Sequence, residues 1–183
     1  MRAVALADTH LHGELPDYLA AAIAGADLIL HAGDMVTEEA LASLEEMAPV
    51  VAVQGNCDSP GLKRLLPERR RLEVAGVRVG LVHQAAQSQD SVGPVMMARE
   101  MDVDLLIYGH IHRPRFENAA GRLIICPGSP TLPRMSALTV AELEIQDGRV
   151  EGRILPVGAP TCDYLKVAGG LAKGDRQAHP GPE

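Results

Sequence analysis

The stretch "LLIYGHIHRPRF", residues 105–116, is an apolar run that ends at a glycine and is followed at once by two histidines. Residues 105–108 have the length and composition of a strand that is covered on both faces. His110 and His112 then follow Gly109 at a spacing that can aim two imidazoles from a turning segment at one point. Two histidines in a polar loop are more often merely solvated, so this pair alone is weak evidence for a metal site.

The run at 105–108 is the last of five apolar runs, and helical patterns separate most of them. The other four occupy residues 3–7, 27–31, 50–54 and 78–83, and the helical patterns lie at 14–27, 37–47 and 93–101. Thr37 is the expected N-cap of the second helix. Strands that alternate with helices predict a mostly parallel sheet.

Two later stretches, residues 113–129 and 137–157, predict antiparallel hairpins. Each contains two β-type runs joined by a polar turn, at residues 119–121 and 146–148. We therefore expect an α/β core extended by antiparallel strands, in a single domain over residues 1–167. Residues 168–183 are rich in glycine and polar residues without periodicity, and we expect a disordered tail there.

The composition is that of an ordinary soluble globular protein, with 46% hydrophobic and 22% charged residues. The first apolar run is too short for a signal peptide or a membrane span, and three widely spaced cysteines fit a reducing compartment. We therefore expect a cytoplasmic protein with no membrane partner. A net charge of −7 and few aromatic residues argue against an extensive nucleic-acid surface.

Metal-capable side chains follow each of the five apolar runs directly. Because the carboxyl ends of parallel strands share one edge of a sheet, we expect these side chains to converge. Nitrogen and oxygen donors without thiolate favour Mn²⁺, Fe²⁺, Ni²⁺ or Zn²⁺, and the set is too large for one tetrahedral site. A shared carboxylate would hold two such ions about 3.5–4 Å apart. The candidate ligands are Asp8, His10, Asp34, Asn56, His83, His110 and His112.

The ordered motifs "DTH", "GD", "GNCD", a lone histidine after a strand and "GHIH" resemble the signature of the calcineurin-like metallophosphoesterases. The "GNCD" form and the short chain are most similar to the small phosphodiesterases of the YfcE type. The segment "CPGSPTLPR", residues 126–134, is similar to a further motif of that family. The resemblance implies a four-layer α/β/β/α sandwich.

The resemblance also implies how the ligands divide between two divalent ions, with Mn²⁺ as the first candidate. One ion would take Asp8, His10, Asp34 and His112, and the other would take Asp34, Asn56, His83 and His110, with Asp34 bridging. The implied reaction is hydrolysis of a small-molecule phosphate ester, in particular a phosphodiester, by attack of a metal-bridging hydroxide. The residues assigned to catalysis are Asp34, Asn56, Asp58 and His110, with Asp58 orienting Asn56 or its loop by hydrogen bonds.

The sequence departs from the family pattern at two places. Many members continue the histidine after the fourth strand as His-Gly-His, whereas residues 82–86 read "VHQAA", so we expect a different loop after His83. Cys57 stands where larger relatives carry a histidine that is thought to protonate the leaving group or to steady the phosphate. We assign Cys57 to the substrate site, although a soft metal ligand or a tuned nucleophile is also compatible with a cysteine there.

Arg113 and Arg134 are the other candidates for substrate contacts, because a guanidinium matches the oxygens of a phosphate. A solvated position at the rim is equally compatible with Arg113. His31 is compatible with two interpretations, a group that orients a ligand and a buried, hydrogen-bonded core histidine. His12 is expected at the rim of the site.

The alternative function is a protein-interaction scaffold with little or no catalysis, as in the retromer subunit that has this fold. Completeness of the ligand set distinguishes the two, and here the set is complete. A nucleotide-binding domain is disfavoured because no GxGxxG or GxxxxGK[ST] loop follows the first strand. A homo-oligomer is compatible with the sequence.

Overall fold

The computed structural model describes residues 1–85 and 92–158, where two five-stranded sheets pack face to face. The strands are β1 (Arg2–Leu6), β2 (Leu28–His31), β3 (Val50–Ala52), β4 (Arg69–Val74), β5 (Val77–Val82), β6 (Leu105–Tyr108), β7 (Arg115–Ala119), β8 (Arg122–Cys126), β9 (Thr139–Gln146) and β10 (Arg149–Pro156). The helices are α1 (Asp17–Ile23), α2 (Glu38–Glu45), α3 (Pro60–Leu65) and α4 (Val92–Glu100). The tail expected at 168–183 lies outside the described residues.

Each sheet has parallel strands at its centre and antiparallel strands at one or both edges. The first has the order β10-β9-β1-β2-β3, in which β1, β2 and β3 are parallel. The second has the order β4-β5-β6-β8-β7, in which β5, β6 and β8 are parallel. The five apolar runs thus lie in two sheets, and the inference of one mostly parallel sheet is wrong. A strand that packs on a second sheet with one face and on helices with the other is apolar on both faces. A strand in a single sheet covered by helices on both sides has the same sequence pattern, so the two cannot be told apart.

Alternate side chains of the central strands divide the core into three parts. The inner faces of the two sheets share one cluster, which contains Ala5 of β1 and Val79 of β5. The outer face of the first sheet packs on α1, α2 and α3, as Leu6 and Leu44 show. The outer face of the second sheet packs on α4 through Ala98. The resulting layers confirm the expected α/β/β/α sandwich.

Three hairpins in the described residues close through two-residue turns. Both central residues have positive φ in each turn, at residues 75–76, 120–121 and 147–148, and the second of each pair is glycine. Positive φ at both positions is what a type I′ turn requires. The two predicted hairpins are confirmed, and Thr37 caps α2 as expected, since its Oγ1 accepts the N–H of Ala40 at 3.3 Å.

Two elements were not predicted, the short helix α3 and the strand β4. Helix α3 has only six residues and begins after Ser59, whose Oγ accepts the N–H of Leu62 at 3.0 Å. Strand β4 is the exposed edge of the second sheet and starts with three arginines, so it lacks the apolar alternation of a strand. Charge on an edge strand opposes pairing with another chain.

The sandwich brings the carboxyl ends of five strands to one end of the molecule. β1, β2 and β3 contribute from the first sheet, and β5 and β6 contribute from the second. The predicted ligands follow these strands directly, so they meet where the two sheets meet. Among the described helices, none has the length and apolar character needed to cross a bilayer.

Candidate metal centre

The loops that carry the predicted ligands have an unusual backbone. Positive φ is uncommon for residues other than glycine and costs about 1–3 kcal/mol for each residue held there. Such conformations persist because the surrounding structure enforces them. The predicted ligands with positive φ are Asp8 (53°), His10 (43°), Asp34 (58°), His110 (75°) and His112 (54°).

Four of the candidate ligands form a first group. One side-chain donor atom from each of Asp8, His10, Asp34 and His112 lies within 4.8 Å of the others. Nε2 of His112 is 3.4 Å from Oδ1 of Asp8 and 3.4 Å from Nε2 of His10. These four residues are the set that the resemblance assigns to one ion.

A second group gathers around the side chain of Asn56. Its Oδ1 is 3.0 Å from Nε2 of His83 and 3.0 Å from Nδ1 of His110. Oδ2 of Asp34 is 3.4 Å from Nε2 of His83 and 3.8 Å from Nε2 of His10. Asp34 therefore faces both groups with the same oxygen, while its Oδ1 accepts the N–H of Cys57 at 2.7 Å.

Two histidines are oriented by backbone carbonyls. Nδ1 of His83 donates to the carbonyl of Ala32 at 2.8 Å, and Nδ1 of His112 donates to the carbonyl of Leu132 at 2.6 Å. Because a carbonyl only accepts, each contact keeps a proton on Nδ1, so Nε2 is the ring nitrogen that each histidine directs at the site. The role of these two carbonyls was not predicted, because every residue has a carbonyl and the residue type therefore does not reveal which one binds a histidine.

The segment at residues 126–134 holds the loop after β1. Oγ of Ser129 donates to the carbonyl of Asp8 at 2.7 Å, and Oγ1 of Thr131 donates to the carbonyl of Thr9 at 2.6 Å. These hydroxyls hold the two peptide groups between Asp8 and His10 in place. The motif itself was noticed in the sequence, but this use of its two hydroxyls was not predicted.

Asp58 binds backbone rather than facing the ligand groups. Its Oδ1 accepts the N–H of Val36 at 2.7 Å, and its Oδ2 accepts the N–H of Gly55 at 2.6 Å. The carboxylate thereby ties the loop of Asn56 to the loop of Asp34. This geometry matches the expected orientation of the loop, and the assignment of Asp58 to catalysis stays a prediction.

His31 is a buried, hydrogen-bonded histidine that connects two ligand loops. Its Nδ1 accepts the N–H of Gly33 at 3.2 Å, so its Nε2 carries the proton and donates to Oγ1 of Thr9 at 3.0 Å. Burial lowers the pKa of His31 to about 3. It therefore acts on Asp34 through the backbone N–H of Gly33, and on Asp8 and His10 through the hydroxyl of Thr9 between them. His12 is exposed.

Burial sets most of the pKa values at the site. It raises the pKa of Asp8 to about 7 and lowers the pKa of the imidazoles of His10, His110 and His112. Burial also opposes ionisation of Asp34, but the hydrogen bond and charge of His83 and the N–H of Cys57 outweigh it and hold the pKa of Asp34 below its usual range. At His83 burial is outweighed by the hydrogen bond and charge of Asp34, which raise the pKa of that imidazole, so His83 would release its Nε2 proton to bind an ion. Carboxylates, an amide oxygen and imidazoles together are a donor set that suits divalent ions.

The site opens into a cleft of about 290 Å³. Cys57 and Arg134, two of the three predicted substrate contacts, lie in its wall. The full lining is His10, Asp34, Asn56, Cys57, His110, His112, Leu132, Pro133 and Arg134. Arg113 lines a separate cavity of about 110 Å³, and its Nε donates to the carbonyl of Arg134 at 3.2 Å. The structure does not bring Arg113 to the cleft of the ligands, and its role stays a prediction.

Cys57 is at the mouth of this cleft, as expected. Its Sγ accepts the Nδ2 hydrogen of Asn56 at 3.1 Å. Partial burial, together with the hydrogen bond and charge of Asp34, raises the pKa of the Cys57 thiol to about 11. Without bound ions the thiol therefore stays protonated at neutral pH, where it is a poor nucleophile, and the roles of Cys57 as a soft ligand or a tuned nucleophile stay predictions.

Gln84 is a further side chain at the site that the sequence analysis did not assign. Its Nε2 is 3.4 Å from Oδ1 of Asn56 and 3.4 Å from Nδ1 of His110. Its position directly after His83, where this chain departs from the family pattern, could have indicated that Gln84 lies at the site.

Comparisons with known proteins agree with this fold. The profile of the calcineurin-like phosphoesterase superfamily domain matches residues 1–148. A probable metallophosphoesterase of Methanothermobacter thermautotrophicus is 35% identical over 165 residues, which cover 87% of this chain and 95% of that protein. Vps29 of Entamoeba histolytica, solved in complex with Zn²⁺, has a TM-score of 0.70 at 22% identity, over 85% of this chain and 99% of that chain. A structure described as a novel archaeal phosphodiesterase has a TM-score of 0.65 at 23% identity, over 85% and 100%.

Proposed function

The chain belongs to the calcineurin-like phosphoesterase superfamily, and on that basis we propose that it is a divalent-metal-dependent phosphodiesterase. One observation carries the proposal: Oδ2 of Asp34 lies 3.4 Å from His83 of one ligand group and 3.8 Å from His10 of the other. A carboxylate in that position suits a pair of ions that share a ligand.

Asp8, His10, Asp34 and His112 would hold one ion, and Asp34, Asn56, His83 and His110 would hold the other. When bound, two such ions lower the pKa of a water and offset the charge that builds on the phosphate oxygens. The donor set favours Mn²⁺, with Fe²⁺, Ni²⁺ and Zn²⁺ as alternatives.

The protein's own residues would prepare this site and receive the substrate. His83 and His112, each fixed by a carbonyl, direct Nε2 at the site without rotation of the ring. Asp34 stays anionic because its pKa is held low, and it attracts cations into a chain that is acidic overall. Arg134 lines the cleft, where its guanidinium can bind phosphate oxygens.

A diester is the substrate class that we favour over a monoester. The similarity in fold to an archaeal phosphodiesterase supports this choice. A small molecule suits a cleft of about 290 Å³. The wide spacing of the three cysteines supports a reducing, cytoplasmic location.

The test starts with protein purified without chelator, in which bound metals are counted by mass spectrometry. The Mn²⁺-loaded protein is expected to hydrolyse bis(p-nitrophenyl) phosphate faster than p-nitrophenyl phosphate. EDTA should abolish this turnover, and added Mn²⁺ should restore it.

The alternative is a protein-interaction scaffold, which the similarity in fold to Vps29 proteins keeps under consideration. A sample that contains two ions per chain but hydrolyses no ester in a broad panel of monoesters and diesters would favour the scaffold. Size-exclusion chromatography with light scattering on the same sample would show whether the chain forms a homo-oligomer.

A further inference from the structure

A second cleft, of about 340 Å³, adjoins the ligand groups and is used by no step described so far. Asn56 lies in the walls of both clefts, so the second cleft borders the site on the side of the second ligand group. Its lining is Gln54, Gly55, Asn56, Lys63, Glu68, Arg69, Val82, His83 and Gln84.

Lys63 is a cation in the wall of this cleft that contacts the loop of Asn56. Its Nζ donates to the carbonyl of Asn56 at 2.7 Å, which places the ammonium on the loop that carries a predicted ligand. The partner is a neutral carbonyl, whereas the neighbouring cation Arg69 is paired with the carboxylate of Glu100 at 2.6 Å. The charge of Lys63 is therefore more available to a bound ligand than the charge of Arg69.

Amide side chains form the rest of the polar wall. Nε2 of Gln54 donates to the carbonyls of Lys63 at 3.3 Å and Leu66 at 2.9 Å, which holds the end of α3 and so the backbone of Lys63 in place. Gln84, within 3.4 Å of Asn56 and His110, stands between the cleft and the ligand groups.

The wall of the first cleft is different in character, because Leu132 and Pro133 line it and Leu132 is 54% exposed. A phosphodiester has two arms, and two clefts of unlike chemistry that meet at Asn56 can receive one arm each. We propose that the second cleft binds an arm of the ester that carries its own anionic group, such as a carboxylate or a second phosphate, and that Lys63 recognises that group. This inference rests on the proposed function, since it requires the scissile phosphate at the ligand groups.

The expected preference for an anionic arm is small because Lys63 is exposed. Ion pairs between exposed groups change an equilibrium constant by about two- to fivefold. Glu68 in the same wall acts in the opposite direction, since a carboxylate repels an anionic arm. Removing the charge of Lys63 should therefore reduce the preference for an anionic arm, and removing the charge of Glu68 should increase it.

The experiment is a calorimetric titration of the Mn²⁺-loaded protein with three phosphonates whose arm ends in a neutral, an anionic or a cationic group. The ligands are ethylphosphonate, 2-carboxyethylphosphonate and 2-aminoethylphosphonate. Wild-type protein should bind the carboxyethyl ligand about two- to fivefold more tightly than the ethyl ligand, and the aminoethyl ligand no more tightly than the ethyl ligand. Binding is measured directly, so the result does not depend on turnover.

Three variants assign the preference to residues. Lys63→Gln should bind the ethyl and carboxyethyl ligands equally, and Glu68→Gln should show a larger preference for the carboxyethyl ligand than wild type. Arg64→Gln is the matched control, because Arg64 is the next residue of α3, is exposed and lies outside the lining of the cleft. It should keep the wild-type preference.

A wild-type protein that binds the ethyl and carboxyethyl ligands equally, or a preference that survives in Lys63→Gln, would overturn this subsite and leave the proposed function intact. Failure of the Mn²⁺-loaded protein to bind even ethylphosphonate would overturn the subsite together with the proposed function.

Discussion

Both side-chain oxygens of Asp8 lie within hydrogen-bond distance of the backbone N–H of His110, at 3.0 and 2.9 Å, and this contact joins the two sheets. Asp8 follows β1 of the first sheet, and His110 follows β6 of the second. Hydrogen bonds to a carboxylate are stronger than those between neutral groups, and Asp8 is fully buried. The ligand loops of the two sheets are thus positioned relative to each other by a contact that needs no ion.

Gly109 is the residue that permits this approach, so Gly109→Ala is expected to weaken both the fold and the metal site. An added Cβ would lie 2.9 Å from Cβ of Ala7, 3.0 Å from the carbonyl of Ala32 and 3.1 Å from Oδ2 of Asp8. We expect the free energy of unfolding to fall by about 1–3 kcal/mol, as in other overpacked sites, and the metal content to fall below two ions per chain. Urea denaturation and metal analysis measure the two effects.

The control for this variant is Gly121→Ala in the β7–β8 turn. Gly121 has a φ of +73°, and an added Cβ there meets nothing within 4 Å, so only backbone strain should lower its stability. Its metal content should match wild type. Unchanged metal content in Gly109→Ala as well would contradict the link between that glycine and the site.

Asp34→Asn is expected to lose both ions and activity, because this carboxylate faces both ligand groups. Replacing it by a neutral amide removes the charge that would hold two cations close together. Turnover should fall by at least about 100-fold, since even residues that only support a ligand contribute 10–100-fold. Asp147→Asn, the same change in an exposed hairpin turn, should leave both quantities at wild-type values. Two ions and normal turnover in Asp34→Asn would show that the bridging assignment is wrong.

Cys57→His is expected to raise turnover most for esters with poor leaving groups. The thiol, whose pKa is raised to about 11, is a poor proton donor at neutral pH, whereas an imidazolium can protonate a departing alkoxide. We expect a gain on the order of 10–100-fold for leaving groups of high pKa and a smaller gain for p-nitrophenol. The measurement is the rate for a series of esters whose leaving groups differ in pKa. The rate of Cys57→His should depend less steeply on the leaving-group pKa than the rate of wild type.

Cys57→Ala separates a passive thiol from an active one. The variant should retain both ions and turn over within about threefold of wild type, since the thiol supplies no proton in the mechanism proposed here. If Cys57→Ala loses metal or turnover, the sulfur has a direct role as a ligand or in the chemistry.

His31 is expected to make the protein less stable as the pH falls. Its pKa is about 3 in the folded protein against 6.5 as the ordinary value, so below about pH 6.5 the unfolded chain binds a proton that the folded chain does not. Stability from this group is complete above that pH and is lost toward pH 3, by up to about 1.4 kcal/mol per pH unit. His31→Gln should remove that part of the slope.

The measurement is urea denaturation of both proteins in EDTA between about pH 7 and about pH 5, where the difference between the two curves isolates His31. His12→Gln, which removes an exposed histidine, should keep the wild-type slope. Parallel curves for wild type and His31→Gln would contradict the buried, neutral state of His31.

The sequence reveals the candidate ligands because each of them directly follows a strongly apolar run. Residues 105–112 illustrate this, since a strand that is buried on both faces ends at Gly109 and is followed by two imidazoles. The same apolar character hides the division of the strands between two sheets. Val79 and Ala5 are buried in the same cluster between the sheets, and periodicity cannot tell such a strand from one covered by helices on both faces.

Other features of the site leave no signal in residue type. The carbonyls of Ala32 and Leu132 orient two histidines, and any residue would supply a carbonyl there. Positive φ at five ligand positions is likewise imposed by the packed fold, although Asp and His tolerate that region better than most residues. Helix α3, which carries Lys63, is too short and too polar to show a period.

The ligand set is drawn from the loops of both sheets, and this arrangement would link metal supply to the lifetime of the protein. Ions that bind the folded chain and not the unfolded chain stabilise the fold by mass action, in proportion to the logarithm of the free metal concentration. Asp8 and His112 follow strands of different sheets, so opening the sandwich at that end would separate them and release the ion. In a cell short of metal, molecules of this protein would unfold and be degraded more often, so their number as well as their activity would follow the supply.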